Sequence, residues 1–270
     1  AEGYVALTAD ALRDGAFAST GLELVNLSEP DATSTDLVAP GGQLEQALAE
    51  IATRQADEVT GDAGTIALIS IDVGSSDLSE LSEPDSPCYE AASSGPCRNA
   101  LSAMLGALQA NLTLVLRELR AAAPAADLYV VDVFHPYLET GDPQKAIAEI
   151  GVQQVNGVIA AASSDEDLAV HLVTVHELFK GGGEHWVAPD GVHPNNDGHR
   201  VLAEALIAAI EGRDVALPTD LTQPPDPPPS ANEGGDDTGI GLAWLLVIVP
   251  VAFASGAIVS AAYFAVRSRR

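Results

Sequence analysis

The strongest constraint on this chain is an alternation along its length. Short apolar runs take turns with longer segments whose apolar residues recur at helical spacing. Residues 22–27 read as a strand, and 43–51 as a helix with Leu44, Ala47, Leu48 and Ile51 on one face. Residues 65–71 have a buried-strand pattern. Residues 99–122 form a long helix with Leu101, Met104, Leu105, Leu108, Leu112, Val115, Leu116 and Leu119 in phase. A strand at 127–133, a helix at 144–162, a strand at 168–175 and a helix at 198–210 complete the series. Parallel strands need a crossover of a dozen or more residues, usually a helix. The alternation therefore predicts an α/β domain, a parallel sheet with helices on both faces. Sites in such sheets form at the carboxyl ends of the strands.

Length and charge narrow the role. The 270 residues suit one domain of roughly 200 residues with appendages. Acidic residues number 39 against 12 basic, a formal net charge of -27. Nucleic acid is excluded as a partner, because phosphate binding needs a basic face. The acidity itself reads as a solvated, self-repelling surface.

The C-terminus carries a second signal. Residues 240–266 contain no charged side chain, and Arg267, Arg269 and Arg270 follow at once. A helix of that length, at about 1.5 Å per residue, exceeds a hydrocarbon core of roughly 30 Å. Trp244 and Tyr263 stand near its two ends, as interfacial aromatics do. The expectation is a single-pass membrane protein with its C-terminus cytoplasmic and its domain extracellular. An export signal is then expected ahead of Ala1. The expected boundaries are a domain over 1–215, a Pro/Gly/Asp-rich stalk over 216–238, a transmembrane helix over 239–266 and a basic tail over 267–270. Cys88 and Cys97 flank a short loop, and an oxidising compartment predicts a local disulfide. Two thiols with no histidine nearby do not complete a tetrahedral metal set, so no metal is expected.

The chemistry concentrates in Asp190-Gly191-Val192-His193-Pro194-Asn195. An acid three residues before a histidine, in a turn ahead of a helix, supplies a base and the group that orients it. The plainer reading is a polar loop whose aspartate caps the following turn. The motif resembles the last signature block of the SGNH (GDSL) hydrolase family, in which the aspartate orients and the histidine is the general base. Earlier blocks are similar too. In Asn26-Leu27-Ser28-Glu29-Pro30-Asp31, Asp31 stands where the family often has a glycine whose N–H helps form the oxyanion hole. Gly74-Ser75-Ser76-Asp77 resembles the family's Gly-x-Asn-Asp, with Ser76 at the asparagine donor. The cysteine-bounded loop, the long helix and Phe134-His135-Pro136-Tyr137 also look like secreted bacterial members. The resemblance spans residues 3–212. It implies a three-layer flavodoxin-like sheet of order 2-1-3-4-5. It also implies hydrolysis of a carboxylic ester by acyl transfer to serine, with no metal or organic cofactor. His193 and Asp190 would be catalytic, with Asp31, Gly74 and Ser76 around the oxyanion hole.

The family's nucleophile, a serine in a Gly-Asp-Ser turn after strand one, is not in these residues. Two readings of the N-terminus stay open. In one, Tyr4-Val5-Ala6-Leu7 is strand one and Thr8-Ala9-Asp10 replaces the serine turn. The domain is then a catalytically dead surface module that binds an acylated lipid or glycan. In the other, residues 3–13 are the helix after strand one, with Tyr4, Leu7, Ala11 and Leu12 on one face and Asp10 and Arg13 outward. Strand one and its serine then lie ahead of Ala1. The second is favoured, because residues 9–21 barely suffice for a helical crossover. It implies a gap between the first two visible strands, whose unpaired backbone groups would leave this chain unstable and inert by itself. Ser28 and Ser75 read as loop hydroxyls, and His135, His171, His176, His185 and His199 as structural or exposed.

Overall fold

The computed structural model describes residues 3–19, 21–60, 66–89, 94–134, 143–181, 185–189, 193–221, 258–259 and 261–266. The helices are α1 (Tyr4–Asp14), α2 (Ser34–Val38), α3 (Gln43–Thr60), α4 (Ser75–Ser79), α5 (Gly95–Ala122), α6 (Pro143–Ser163) and α7 (Asn196–Glu211). The strands are β1 (Leu22–Asn26), β2 (Glu29–Pro30), β3 (Ile66–Asp72), β4 (Asp127–Val131), β5 (Val170–Val173), β6 (Ile258–Val259) and β7 (Ala261–Val266). The main sheet runs β1-β7-β3-β4-β5. Strands β3, β4 and β5 are mutually parallel.

Successive residues of a strand point to opposite faces, and the two cores follow that period. Ile69, Ile71, Leu128 and Val130 face Leu108, Leu112 and Leu116 of α5 and Val155 and Ile159 of α6. Leu68, Tyr129, Val131 and Val173 face Tyr4, Val5 and Leu12 of α1 and Val201 and Leu206 of α7. Each fully buried Leu, Ile or Val contributes roughly 1.5–3 kcal/mol, so the layers are held chiefly by these two clusters. Helix α5 is the one helix among the described residues long and apolar enough to cross a membrane. Its buried row, Leu101, Leu108, Leu112, Val115, Leu116 and Leu119, instead packs into the domain. Ser94 caps its start by accepting the Cys97 N–H at 3.1 Å. Cys88 and Cys97 form the expected disulfide.

Residues 4–14 are helical, as the favoured reading of the N-terminus requires. The buried face differs from expectation. Tyr4, Val5, Thr8, Ala9 and Leu12 are buried, whereas Ala11 is exposed. The reason is that α1 is packed from two sides, by the sheet and by α7, so its apolar stripe is wider than the four residues expected. Asp10 and Arg13 do face outward and pair with each other at 2.5 Å.

The largest departure is at the C-terminus. The sequence predicts one helix over 239–266. Its described parts, Ile258–Val259 and Ala261–Val266, are strands. Strand β7 occupies the slot between β1 and β3, antiparallel to both, from Leu22↔Val266 to Asn26↔Ala262 on one side. Backbone N–H and C=O groups on both walls of that slot require partners, and an uncharged strand supplies them without burying a charge. The slot itself was expected, because the implied sheet order separates the first two visible strands. The stalk from residue 222 onward and the basic tail lie outside the described residues.

Candidate active site

Three loops meet the carboxyl rim of the sheet, each fixed by local rules. The β1–α2 loop leaves Asn26, whose Oδ1 accepts the Ser28 N–H at 3.0 Å and its hydroxyl at 2.7 Å. Ser28 is thereby tied into an Asx turn, as an ordinary loop hydroxyl. Asp31 follows with φ 60, and it is exposed. This is left-handed backbone, where glycine carries no penalty and aspartate is tolerated. Thr33 then caps α2 in a reciprocal box with Asp36, whose Oδ2 accepts the Thr33 N–H at 2.9 Å. Those hydrogen bonds hold the Asp36 carboxyl below its ordinary range.

The second loop joins β3 to α4. Gly74 has φ 112, and a Cβ placed there would stand 2.7 Å from Val155 Cγ1. Only glycine fits both the backbone and the neighbour. Ser76 is 1% exposed, and its Oγ makes no hydrogen bond among the described residues. Asp77 binds across to the first loop: Ser34 donates its N–H to Asp77 Oδ2 at 2.9 Å and its hydroxyl to Oδ1. Asn111 of α5 donates to Ser34 Oγ at 3.2 Å. Burial raises the Asp77 carboxyl, and the Ser34 donations pull it back down. Asp77 therefore clamps the Asp31 loop to the Gly74 loop.

The third loop enters α7. Asn195 caps that helix, accepting the Asp197 and Gly198 N–H groups at 2.9 and 3.0 Å. Its amide donates back to the His185 and Val187 carbonyls. Val187 and Pro194 form an antiparallel bridge, and Ala188 donates its N–H to the His193 carbonyl at 2.7 Å. His193 is thus half-buried on a short, doubly fixed turn at the start of α7. One turn along, His199 is buried, and burial followed by the proximity of His193 lowers its pKa. Asp190 lies outside the described residues, as does His135. The structure brings the Asp31 and Gly74 loops together through Asp77 and places His193 at the head of the helix that packs beside α1.

Two acidic groups at this rim were not singled out from the sequence. Asp72 ends β3, and Tyr4 of α1 donates its hydroxyl to Asp72 Oδ2 at 3.4 Å. Desolvation pushes its pKa up to about 7, against the Tyr4 hydrogen bond, and the Asp132 charge adds to the rise. Asp132, just past β4, accepts the Val175 and His176 N–H groups on Oδ1 at 2.6 and 3.0 Å. His176 is buried with Nε2 2.8 Å from Glu149 Oε1 of α6, so it braces β5 against α6. Residue type alone carried no signal for these contacts; a strand-terminal aspartate was the one available cue. Among the described residues no cluster of His, Cys, Asp and Glu could hold a metal ion.

The profile of the GDSL-like lipase/acylhydrolase family matches residues 1–201. No curated protein sequence matches the chain. Among solved structures, the chain is similar to Axe2, an acetylxylan esterase from Geobacillus stearothermophilus. The identity is 19% over 77% of this chain and 81% of that one, with a TM-score of 0.51. An alpha/beta hydrolase enzyme from the metagenome of Lake Arreo gives the same four values. At these identities the likeness is one of fold.

Proposed function

Because this chain belongs to the GDSL-like lipase/acylhydrolase family, we propose that its domain hydrolyses a carboxylic ester by acyl transfer to serine and then to water. His193 is the general base and Asp190 orients it. Backbone N–H groups of the Asp31 and Gly74 loops line the oxyanion side. The observation that carries this reading is the Asp77 clamp, which joins those two loops at the rim where α7 begins.

The nucleophile is assigned to a strand ahead of Ala1. Helix α1 begins beside the end of β3, through Tyr4 and Asp72, and ends beside the start of β1, where Arg13 Nε donates to the Leu22 carbonyl at 3.0 Å. It therefore runs from the carboxyl rim back to the amino rim, as the helix of a strand–helix–strand unit does. A right-handed connection of that kind seats the preceding strand in the slot beside β1. A serine at the carboxyl end of such a strand would reach the three loops.

The uncharged run over residues 240–266 and its arginine stop support attachment to a membrane, with the domain extracellular and Arg267, Arg269 and Arg270 in the cytoplasm. The observation favouring the second reading, a dead module that binds an acylated lipid or glycan, is the donor set. Ser76 is sealed in the interior and Asp31 carries a carboxylate. Loss of one oxyanion donor costs about 2.7–4 kcal/mol of transition-state stabilisation. The test is p-nitrophenyl acetate turnover by the chain extended upstream of Ala1, with its H193A variant. A fall of about 10²–10⁴-fold in H193A is expected for a lost general base. Equal rates, or no turnover in either protein, remove the esterase reading.

A further inference from the structure

We propose that Asn111 is a positioning residue for the ester-hydrolysing site: its side-chain amide sets the direction of the hydrogen bonds in the Asp77 clamp, and through the clamp the spacing of the two loops on the oxyanion side. The inference rests on the esterase reading and adds to it a residue of α5. Asn111 is half-buried, and the leucines on either side of it along the helix, Leu108 and Leu112, are fully buried in the core. The helix is therefore fixed beneath it. Its Nδ2 lies 3.2 Å from Ser34 Oγ and 3.5 Å from Thr35 Oγ1. Ser34 and Asp77 are both buried, so water does not complete their hydrogen bonds freely.

The argument is a count of protons. A serine hydroxyl has one to give. Ser34 gives it to Asp77 Oδ1, while its backbone N–H goes to Oδ2. With that proton spent, Ser34 Oγ can only accept from α5, and the group that α5 presents is an amide N–H. The chain of donations runs from Asn111 to Ser34 to Asp77 and requires an ionised Asp77. A protonated Asp77 would donate to Ser34 Oγ and turn the hydroxyl proton toward Asn111 Nδ2, donor against donor. Burial raises the Asp77 carboxyl and the Asp36 charge adds to the rise, while the Ser34 donations oppose both. The Asn111 amide strengthens those donations, because a hydroxyl that accepts a hydrogen bond is a better donor. The charged groups near Asp77 on α2 and past α4 are Asp36 and Glu80, both acids. Neutral donors thus hold its charge, and Asn111 orients the one that can rotate. A clamp with its protons reversed leaves the Asp31 and Gly74 loops at a different spacing.

The test uses the chain extended upstream of Ala1, with kcat and KM for p-nitrophenyl acetate followed from about pH 5 to about pH 8. N111A removes the donor and should lower kcat about tenfold with KM unchanged, because displaced catalytic groups cost rate rather than binding. N111D supplies the signature of hydrogen-bond direction. A protonated aspartic acid donates to Ser34 Oγ as the amide does; an ionised one only accepts, and draws the Ser34 proton away from Asp77. The neighbouring acids raise the pKa of the new carboxyl toward the assayed range. The kcat of N111D relative to N111A should therefore fall about tenfold from about pH 5 to about pH 8. A merely structural role leaves that ratio constant, since the ionisation of His193 is common to both variants. Turnover by the parent with a constant ratio, or with the kcat of N111A equal to the parent's, overturns the proposal. No turnover by the parent removes the esterase reading instead. Side-chain amide exchange in the unsubstituted chain needs neither turnover nor a variant. The Asn111 Nδ2 protons should exchange about tenfold slower than those of exposed Asn99. Equal exchange overturns the proposal as well.

Discussion

Replacing Gly74 by alanine tests the construction of the rim, and its cost can be worked from two independent sources. The first is the backbone. At φ 112 an L-residue sits in left-handed territory, which costs roughly 1–2 kcal/mol. The second is space. The new Cβ would stand 2.7 Å from Val155 Cγ1, 3.5 Å from Leu108 Cδ2 and 3.7 Å from Ile159 Cδ1. Comfortable carbon contacts lie near 3.5–4.0 Å, so only the Val155 contact is a clash. Val155, on α6, is fully buried in the core cluster. Overpacking of this kind costs about 1–3 kcal/mol. Stiffening of the unfolded chain returns about 0.4–1 kcal/mol, so the net loss is about 1–4.6 kcal/mol. Urea unfolding followed by far-ultraviolet circular dichroism measures it. The two sources separate in a double-mutant cycle with V155A, which removes the clashing methyl but leaves the backbone strain. A coupling of about 1–3 kcal/mol is expected between the two sites. If G74A is as stable as the parent chain, or if its cost is unchanged in V155A, the geometry assigned to this turn is wrong.

Two further outcomes follow from groups at the same rim. The Asp72 carboxyl has a folded pKa of about 7, raised above its ordinary 3.8, so the folded chain keeps a proton that the unfolded chain has lost. Stability should therefore fall as pH rises between those two values, by about 2–4 kcal/mol in total. D72N should flatten that decline, gaining stability at about pH 8 and little at about pH 4. Parallel melting-temperature profiles for the two proteins would show that Asp72 is not the responsible group. At Asp31, with φ 60, D31G should be more stable than D31A by about 1–2 kcal/mol, since only alanine brings a Cβ into left-handed backbone. Equal urea midpoints would place Asp31 in ordinary backbone.

Local pattern carried much of the architecture. Period-two and helical spacing are properties of neighbouring residues, so β3, β4, α5 and α7 could be read directly. The helix at Tyr4 was legible because the length of chain before β1 limits what can cross over. Cys88 and Cys97, nine residues apart, were close enough to pair by proximity alone. The candidate site was legible only as residue types. The sequence named Asp31, Gly74, Ser76 and His193, but not that Gly74 meets Val155, that Ser76 is sealed inside, or that Asp77 reaches Ser34 from 43 residues away. It likewise held no hint that Tyr4 reaches Asp72 across 68 residues, or that His176 braces α6.

The sequence by itself determined which segments are strands and which are helices, where the acid–histidine turn falls, and that residues 240–266 must be kept from water. Only the tertiary structure decided where residues 261–266 of that run go. An uncharged segment can bury its backbone in lipid or between two strands, and local sequence cannot choose between them. The choice depends on a slot whose walls, β1 and β3, come from the other end of the chain. Long-range pairing creates that slot, and hydrogen-bond satisfaction of its edges selects what fills it.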